Sequence, residues 1–562
     1  MNTSDTEVVE FHEMEFVELI KTPKVDGVVL HRPLCPRIEG TLCVTGHHLI
    51  LSSRQKNAEE LWLLHSGVDS IEKKFVGSMG YLTVKCKDFR VIRLDIPGME
   101  ECLNIASSIE VLSSLDTITL TYPFFFRPMF DVIEDGWQAF PPETEFGRLS
   151  GEDWRISYVN KDYKVCPSYP SAVVVPKSID DNTLTKSGAF RQGGRFPVLS
   201  YFHAANDTSI LRSSQPLTGP NGRRCKADEQ LLNATLRPGK RGYIIDTRSP
   251  NVAANAKARG GGVEPEVHYP QWRRIHKPIE RWNALQDSLV RLVEACQDPN
   301  SSMDKWLSKL EASNWLTHVK DILTTACLAA QCIDREGASV LVHGSEGIDT
   351  TLQVTSLTQI ILNPDCRTVR GFEALVEREW LQAGHPFADR CAKSAHSTSK
   401  QKFEAPVFLL FIDCVFQVYQ QFPCSFEFNE QFLVLLFEHS YASQFGTFLC
   451  NNEWDRKKVK LQTKTVSLWS YVNSPEMLRT YLNPLYEPNN GVVWPSVAPQ
   501  SLQLWSGLFL RWETNNSAED AAWQEVIHIR HHNKELKSKA TKLRRQLEEL
   551  QREARDANIL EE

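Results

Sequence analysis

None of the fourteen cysteines in this 562-residue chain forms a C-x-x-C pair, which disfavours zinc ribbons and dithiol redox sites. A chain of this size has core enough without disulfide staples, so free thiols in a reducing compartment are expected, with no metal and no cofactor. Positive charge is not in excess either: 63 Lys and Arg against 70 Asp and Glu leave a formal charge of -7. That balance gives no argument for nucleic-acid binding, and any anionic ligand must be held locally. No apolar run reaches the ~20 residues that span a bilayer. The densest, "APVFLLFIDCVFQVY", is interrupted by Asp413 and reads as a buried core helix. The acidic N-terminus, "MNTSDTEVVEFHEMEF", lacks the basic and apolar blocks of a secretory signal, so a cytosolic location is expected.

What is present, 41% hydrophobic and 10% aromatic residues, suits two or three globular units. Residues 15–115 read as a β-rich module closed by a helix. Leu82, Val84 and Cys86 alternate with Thr83 and Lys85, and beyond Lys87-Asp88, Ile92, Leu94 and Ile96 alternate with Arg93 and Asp95. That is the period of a hairpin. Cys102, Ile105, Ala106, Ile109 and Leu112 follow helical spacing, with Glu100, Glu101, Asn104 and Ser108 expected outward. The arrangement suggests a pleckstrin-homology-like binding module, whose fold alone does not fix a ligand. Residues 125–512 read as one large α/β domain in which short strands (173–175, 198–201, 243–245 and 340–342) are separated by helical patterns. The run Gly260-Gly261-Gly262 reads as a mobile or tightly turned loop.

Residues 520–558 change period. With Val526, Asn533, Ala540, Leu547 and Ala554 at a, the d positions are Ile529, Leu536, Leu543, Leu550 and Ala557, a narrow seam that predicts a coiled coil. Its flanks are basic: Arg530, Lys537 and Arg544 at e, His532 and Lys539 at g. A parallel homodimer sets Lys539 against Arg544, so an acidic partner fits better and homodimerisation is the weaker expectation. Asn533 at a favours register over stability.

The stretch "ASVLVHGSEGIDTT", residues 338–351, reads as strand, loop and helix. That succession is a ready anion site, since first-turn amides and the helix dipole face the loop. In cysteine-dependent phosphatases it carries H-C-x5-R, with a thiolate nucleophile and an arginine that clamps phosphate. Here His343 is present, Gly344 stands at the cysteine position and Thr350 at the arginine position. Removing a nucleophile from a catalytic unit costs about 10⁶ in rate, or roughly 8 kcal/mol. Ser345 is no substitute, being one residue off and without an evident base. A second string, Cys450 to Arg456 in "CNNEWDR", satisfies C-x5-R but has no preceding strand and no loop glycines, and is rejected. The basic runs Arg456–Lys464 and Asn221–Lys226 read as solvated faces, with contact to anionic lipid as the alternative.

The loop and the segments "FRQGGRFPVLSYFH", "SQPLTGPNGRRCKADE", "NAKARGGG", "LEASNWLTHVKDIL", "GFEALVEREWLQAGHPF" and "FPCSFEFNEQFL" resemble the myotubularin-related phosphoinositide phosphatases over nearly the whole chain. The family loop reads H-C-S-D-G-W-D-R-T. His343, Ser345, Gly347, Asp349 and Thr351 match it, whereas Gly344, Glu346, Ile348 and Thr350 depart. The resemblance implies a PH-GRAM domain at 15–115, a catalytically inactive α/β domain of the tyrosine-phosphatase superfamily at 125–512, and a coiled coil at 520–558. It also places Asp349 where active members keep a general acid. The function it implies is a pseudophosphatase adaptor that binds an active member of the family, the sixth, seventh or eighth, through the coiled coil. Pairing is expected to raise that partner's activity or stability towards phosphatidylinositol 3-phosphate and 3,5-bisphosphate. Peripheral attachment to endosomal, perinuclear or endoplasmic reticulum membranes is implied as well. The alternatives are a phosphoinositide-binding membrane module without a catalytic partner and, third, an enzyme with unorthodox residues.

Overall fold

Period-two patterning builds seven strands in the first hundred residues: β1 Lys24–His31, β2 Ile38–Val44, β3 His48–Ser52, β4 Leu61–Leu64, β5 Val68–Val76, β6 Met79–Cys86 and β7 Val91–Pro97. The computed structural model describes residues 16–55, 59–149, 151–298, 300–396, 403–513 and 517–556. The acidic segment through residue 15, and Ala557 with residue 558, lie outside the described residues. The seven strands pair antiparallel in the order β4-β3-β2-β1-β7-β6-β5. The expected hairpin is β6–β7, with Leu82 opposite Leu94 and Val84 opposite Ile92. Helix Met99–Leu112 lays Cys102, Ile105, Ala106, Ile109 and Leu112 onto the core of this sheet. Ser108 departs from its expected outward position. It is buried and its hydroxyl donates to the Leu19 carbonyl at 2.9 Å, so that the buried hydroxyl has a partner.

Beyond that helix, β8 Trp154–Ser157 and β9 Val173–Pro176 form a separate two-stranded ribbon. The main sheet runs β10-β11-β14-β12-β13, built from β10 Val198–His203, β11 Thr208–Ser213, β12 Gly242–Asp246, β13 Trp272–His276 and β14 Val340–His343. The β10–β11 pair is antiparallel and the other neighbours are parallel. All four residues of the central strand β14 are buried, and the first three, Val340, Leu341 and Val342, read as an apolar run. Helices Trp315–Asp334, Thr350–Leu362 and Val407–Gln421 pack on one another. The last is the apolar run around Asp413. Its carboxylate accepts the Trp315 indole N–H at 2.7 Å and the Gln417 amide at 2.8 Å, while burial pushes its pKa up to about 6.

Residues up to Leu510 form one compact unit and those from Arg511 a second. The second holds one continuous helix, Ser517–Asp556, which covers the heptads as far as residue 556. Leu536, Leu543, Leu547 and Leu550 are between 47% and 65% exposed along it, and Val526, Ile529, Asn533 and Ala540 are exposed as well. Among the described residues, no helix is long and apolar enough to cross a membrane.

Candidate functional site

Strands β11, β12 and β14 end level, with His343 opposite both Ser213 and Asp246. The loops that follow them meet at the carboxyl edge of the parallel strands, where open α/β sheets place their ligands.

His343 closes β14 and is fully buried. Its Nδ1 lies 3.1 Å from the Gly344 carbonyl oxygen and its Nε2 3.1 Å from Glu264 Oε2. Glu264 Oε1 accepts from Arg191 Nη1 at 2.7 Å. Arg191 in turn grips Asp228 with two hydrogen bonds of 2.9 and 2.6 Å, and Asp228 accepts the Ser187 and Tyr269 hydroxyls at 2.7 and 2.8 Å. The side chains of His343, Glu264, Arg191 and Asp228 have no exposed surface. Burial alone would raise the pKa of Glu264, but His343 and Arg191 hold it below the usual carboxylate range. Burial first, and then the Asp228 charge, push the Tyr269 phenol up. A fully paired polar chain of this kind fixes the strand end rigidly.

Gly344 is buried, and a Cβ built there would stand 2.9 Å from Thr247 Oγ1 and 3.3 Å from Thr350 Oγ1. Thr350 is the first residue of helix Thr350–Leu362 and is also buried. Ser345 and Glu346 are half-buried, and the Ser345 carbonyl accepts the Gln215 N–H at 3.1 Å. Gly347 has φ +74° and packs directly on the Ser213 carbonyl, so both conformation and contact require glycine. Its own carbonyl accepts from Arg195 Nη2 at 2.7 Å, and the Ile348 carbonyl lies 2.8 Å from His385 Nδ1.

Asp349 starts the helix with its backbone, the carbonyl accepting the Leu352 and Gln353 N–H groups at 3.0 and 3.1 Å. Its carboxylate turns instead to Arg390, which donates twice at 3.1 and 2.8 Å, and accepts the Trp282 indole N–H at 3.3 Å. Burial pulls its pKa up, but the hydrogen bond from His385 and the Arg390 charge more than offset this and hold it low. An ionised, doubly bonded carboxylate is poorly suited to donate a proton.

The terminal nitrogens of Arg195 and Arg248 beside the loop donate to protein acceptors, whereas Arg195 Nε is buried without one among the described residues. Arg195 also donates to Ser168 Oγ and the Ala383 carbonyl, and Arg248 grips Asp246. A surface cleft of about 320 Å³ opens before the loop, lined among others by Gln192, Glu346, Ile348 and Asp389. Its lining holds two carboxylates, Glu346 and Asp389, against one guanidinium, Arg195, a balance that does not favour an anion.

Glu264, Arg191, Asp228, Thr247 and Arg390 were not singled out by sequence reasoning. Arg191 and Asp228 do lie inside "FRQGGRF" and "RRCKADE", but their pairing spans 37 residues and has no local signature. The glycine run proves tightly turned, with Gly261 N–H donating to the Ala256 carbonyl at 2.9 Å and its carbonyl accepting from Gly219 at 2.8 Å. In the basic runs, Arg223 and Lys226 are exposed as expected. Arg456 corrects the solvated-face reading: it is buried and donates to the Leu449 and Leu381 carbonyls at 3.0 and 2.9 Å, acceptors that no charge count reveals.

The family model of the myotubularin-like phosphatase domain matches residues 121–457, and that of the GRAM domain of MTMR6-9 matches residues 24–113. The chain belongs to the myotubularin family. It is 70% identical over 542 residues to human myotubularin-related protein 9, a match that covers 96% of this chain and 99% of that protein. Its identity to myotubularin-related protein 9 of Caenorhabditis elegans is 44% over 566 residues, with the same coverage of 96% and 99%. It is also 36% identical over 538 residues to the human phosphatidylinositol-3-phosphate phosphatase MTMR7, covering 92% of this chain and 80% of that protein.

Proposed function

We propose that this chain is a pseudophosphatase adaptor: it has no turnover of its own and regulates an active phosphatase of its family. The observation that carries the reading is Gly344, which has no side chain at the position where the family loop keeps its nucleophile. Residues 343–350 are then a vestigial phosphate loop, with Thr350 in place of the clamping arginine. The division at 15–115, 125–512 and 520–558 into PH-GRAM, inactive phosphatase and coiled-coil parts belongs to the same proposal. Pairing runs through helix Ser517–Asp556, whose exposed seam of Val526, Ile529, Asn533, Leu536, Ala540, Leu543, Leu547 and Leu550 lies between basic flanks. The partner is an active relative, such as one of the phosphatidylinositol-3-phosphate phosphatase kind that MTMR7 is named for, and the N-terminal module attaches the pair peripherally to membranes.

The test mixes the full chain with an active family member and follows phosphate release from phosphatidylinositol 3-phosphate. The chain alone releases none, and its addition raises the partner's rate. Turnover by the chain alone that disappears on Ser345→Ala would overturn the proposal, as would an unchanged partner rate at saturating complex.

A further inference from the structure

The C-x5-R string rejected as a phosphate loop leads to a different site. We propose that the cavity containing Arg456 binds an amphipathic organic anion, an apolar body carrying one carboxylate, phosphate or sulfonate. The cavity is formed by residues 136–143, the turn Glu377–Leu381 and residues 447–463. It shares no lining residue with the cleft before the Gly344 loop. Its volume of about 550 Å³ falls in the range of small-molecule sites.

Trp137, Phe140, Pro142 and Leu461 give it an apolar lining. Among the polar groups, Arg456 stands out. Two of its nitrogens are tied to carbonyls, and the third, Nη2, is buried with no hydrogen-bond partner among the described residues. Arg456 lines the cavity, and a cationic donor that lacks an acceptor is the counterpart of an anion. Lys460, exposed, lines the same cavity and adds positive charge. Lys457, by contrast, is matched by Glu453 at 3.1 Å. Of the remaining carboxylates of the lining, Glu377 accepts the Trp469 indole N–H at 2.6 Å, with burial pushing its pKa up, and Glu143 accepts the Tyr158 hydroxyl at 2.6 Å. The turn that carries Glu377 and Leu381 is π-helical, a distortion frequent at functional sites.

Isothermal titration of the full chain with octyl phosphate tests this. One saturable site is expected, with octanol and inorganic phosphate each binding at least about tenfold more weakly. Lys460→Glu reverses a rim charge and Thr463→Trp fills the exposed rim. Both are surface changes, and each is expected to weaken octyl phosphate by about tenfold with an unchanged melting temperature. The proposal is overturned if octyl phosphate does not bind, if octanol binds as tightly as octyl phosphate, or if neither variant weakens binding.

Discussion

Thr247 Oγ1 and Thr350 Oγ1 lie 2.7 Å apart, joining the end of β12 to the first turn of the helix after β14 and closing the space beside Gly344. A new side chain at 344 meets this pair, and Asp349 nearby is held by Arg390.

Restoring the two missing residues is therefore expected not to restore an enzyme. The double variant Gly344→Cys, Thr350→Arg should release phosphate from phosphatidylinositol 3-phosphate at no more than about 1% of an active relative's rate. Recovery to a comparable rate would show that only the nucleophile and clamp are missing.

Deleting residues 514–562 removes the helix unit without touching the other. Co-purification with an active family member should be lost, while the melting temperature of the remainder stays within about 2 °C. Retained co-purification would place the interface elsewhere.

Glu264 links His343 to Arg191, and Glu264→Gln leaves a buried guanidinium without one of its two carboxylate partners. Breaking a buried ion pair from one side costs about 3–5 kcal/mol. Urea unfolding of the variant should show a loss of that size, and a change below 1 kcal/mol would contradict the rigid role given to this chain of groups.

Acidification should act in two stages. Burial lowers the pKa of His65 and His439 to about 4, below the ordinary value near 6.5. The unfolded chain then binds these protons first, so stability falls as pH drops from about 6.5 to 4. Asp349 and Glu264 are held below the usual carboxylate range, so the stability they contribute is present above about 4 and is lost below it. Melting temperatures measured from pH 8 to pH 3 should decline in that order, and His65→Gln should shallow the first stage.

The readable parts of this chain were those whose reason is local. Alternation announced β6 and β7, and a run of apolar residues announced β14. The seven-residue leucine spacing announced the helix that the structure carries from 517 to 556. Ser108 was misplaced because its partner, the Leu19 carbonyl, lies 89 residues away. The loop was found from its own residues, but its surroundings were not: Arg390 reaches Asp349 across 41 residues and Glu264 reaches His343 across 79. Arg456 looked solvated because charge is what a sequence shows, whereas the carbonyls that took it inside belong to Leu449 and Leu381.

The partners of the loop residues also say how such a loop ages. His343, Gly347 and Asp349 agree with the family pattern, and each is fixed from behind, by Glu264, the Ser213 carbonyl and Arg390. Glu346 and Ile348 depart from it and sit half-buried on the cleft. On the adaptor reading, the two residues that line the cleft have diverged while these three posts stay. Agreement with an active-site pattern at such posts records the persistence of an architecture, and only the residues facing the cleft and the Gly344 space record the fate of the chemistry.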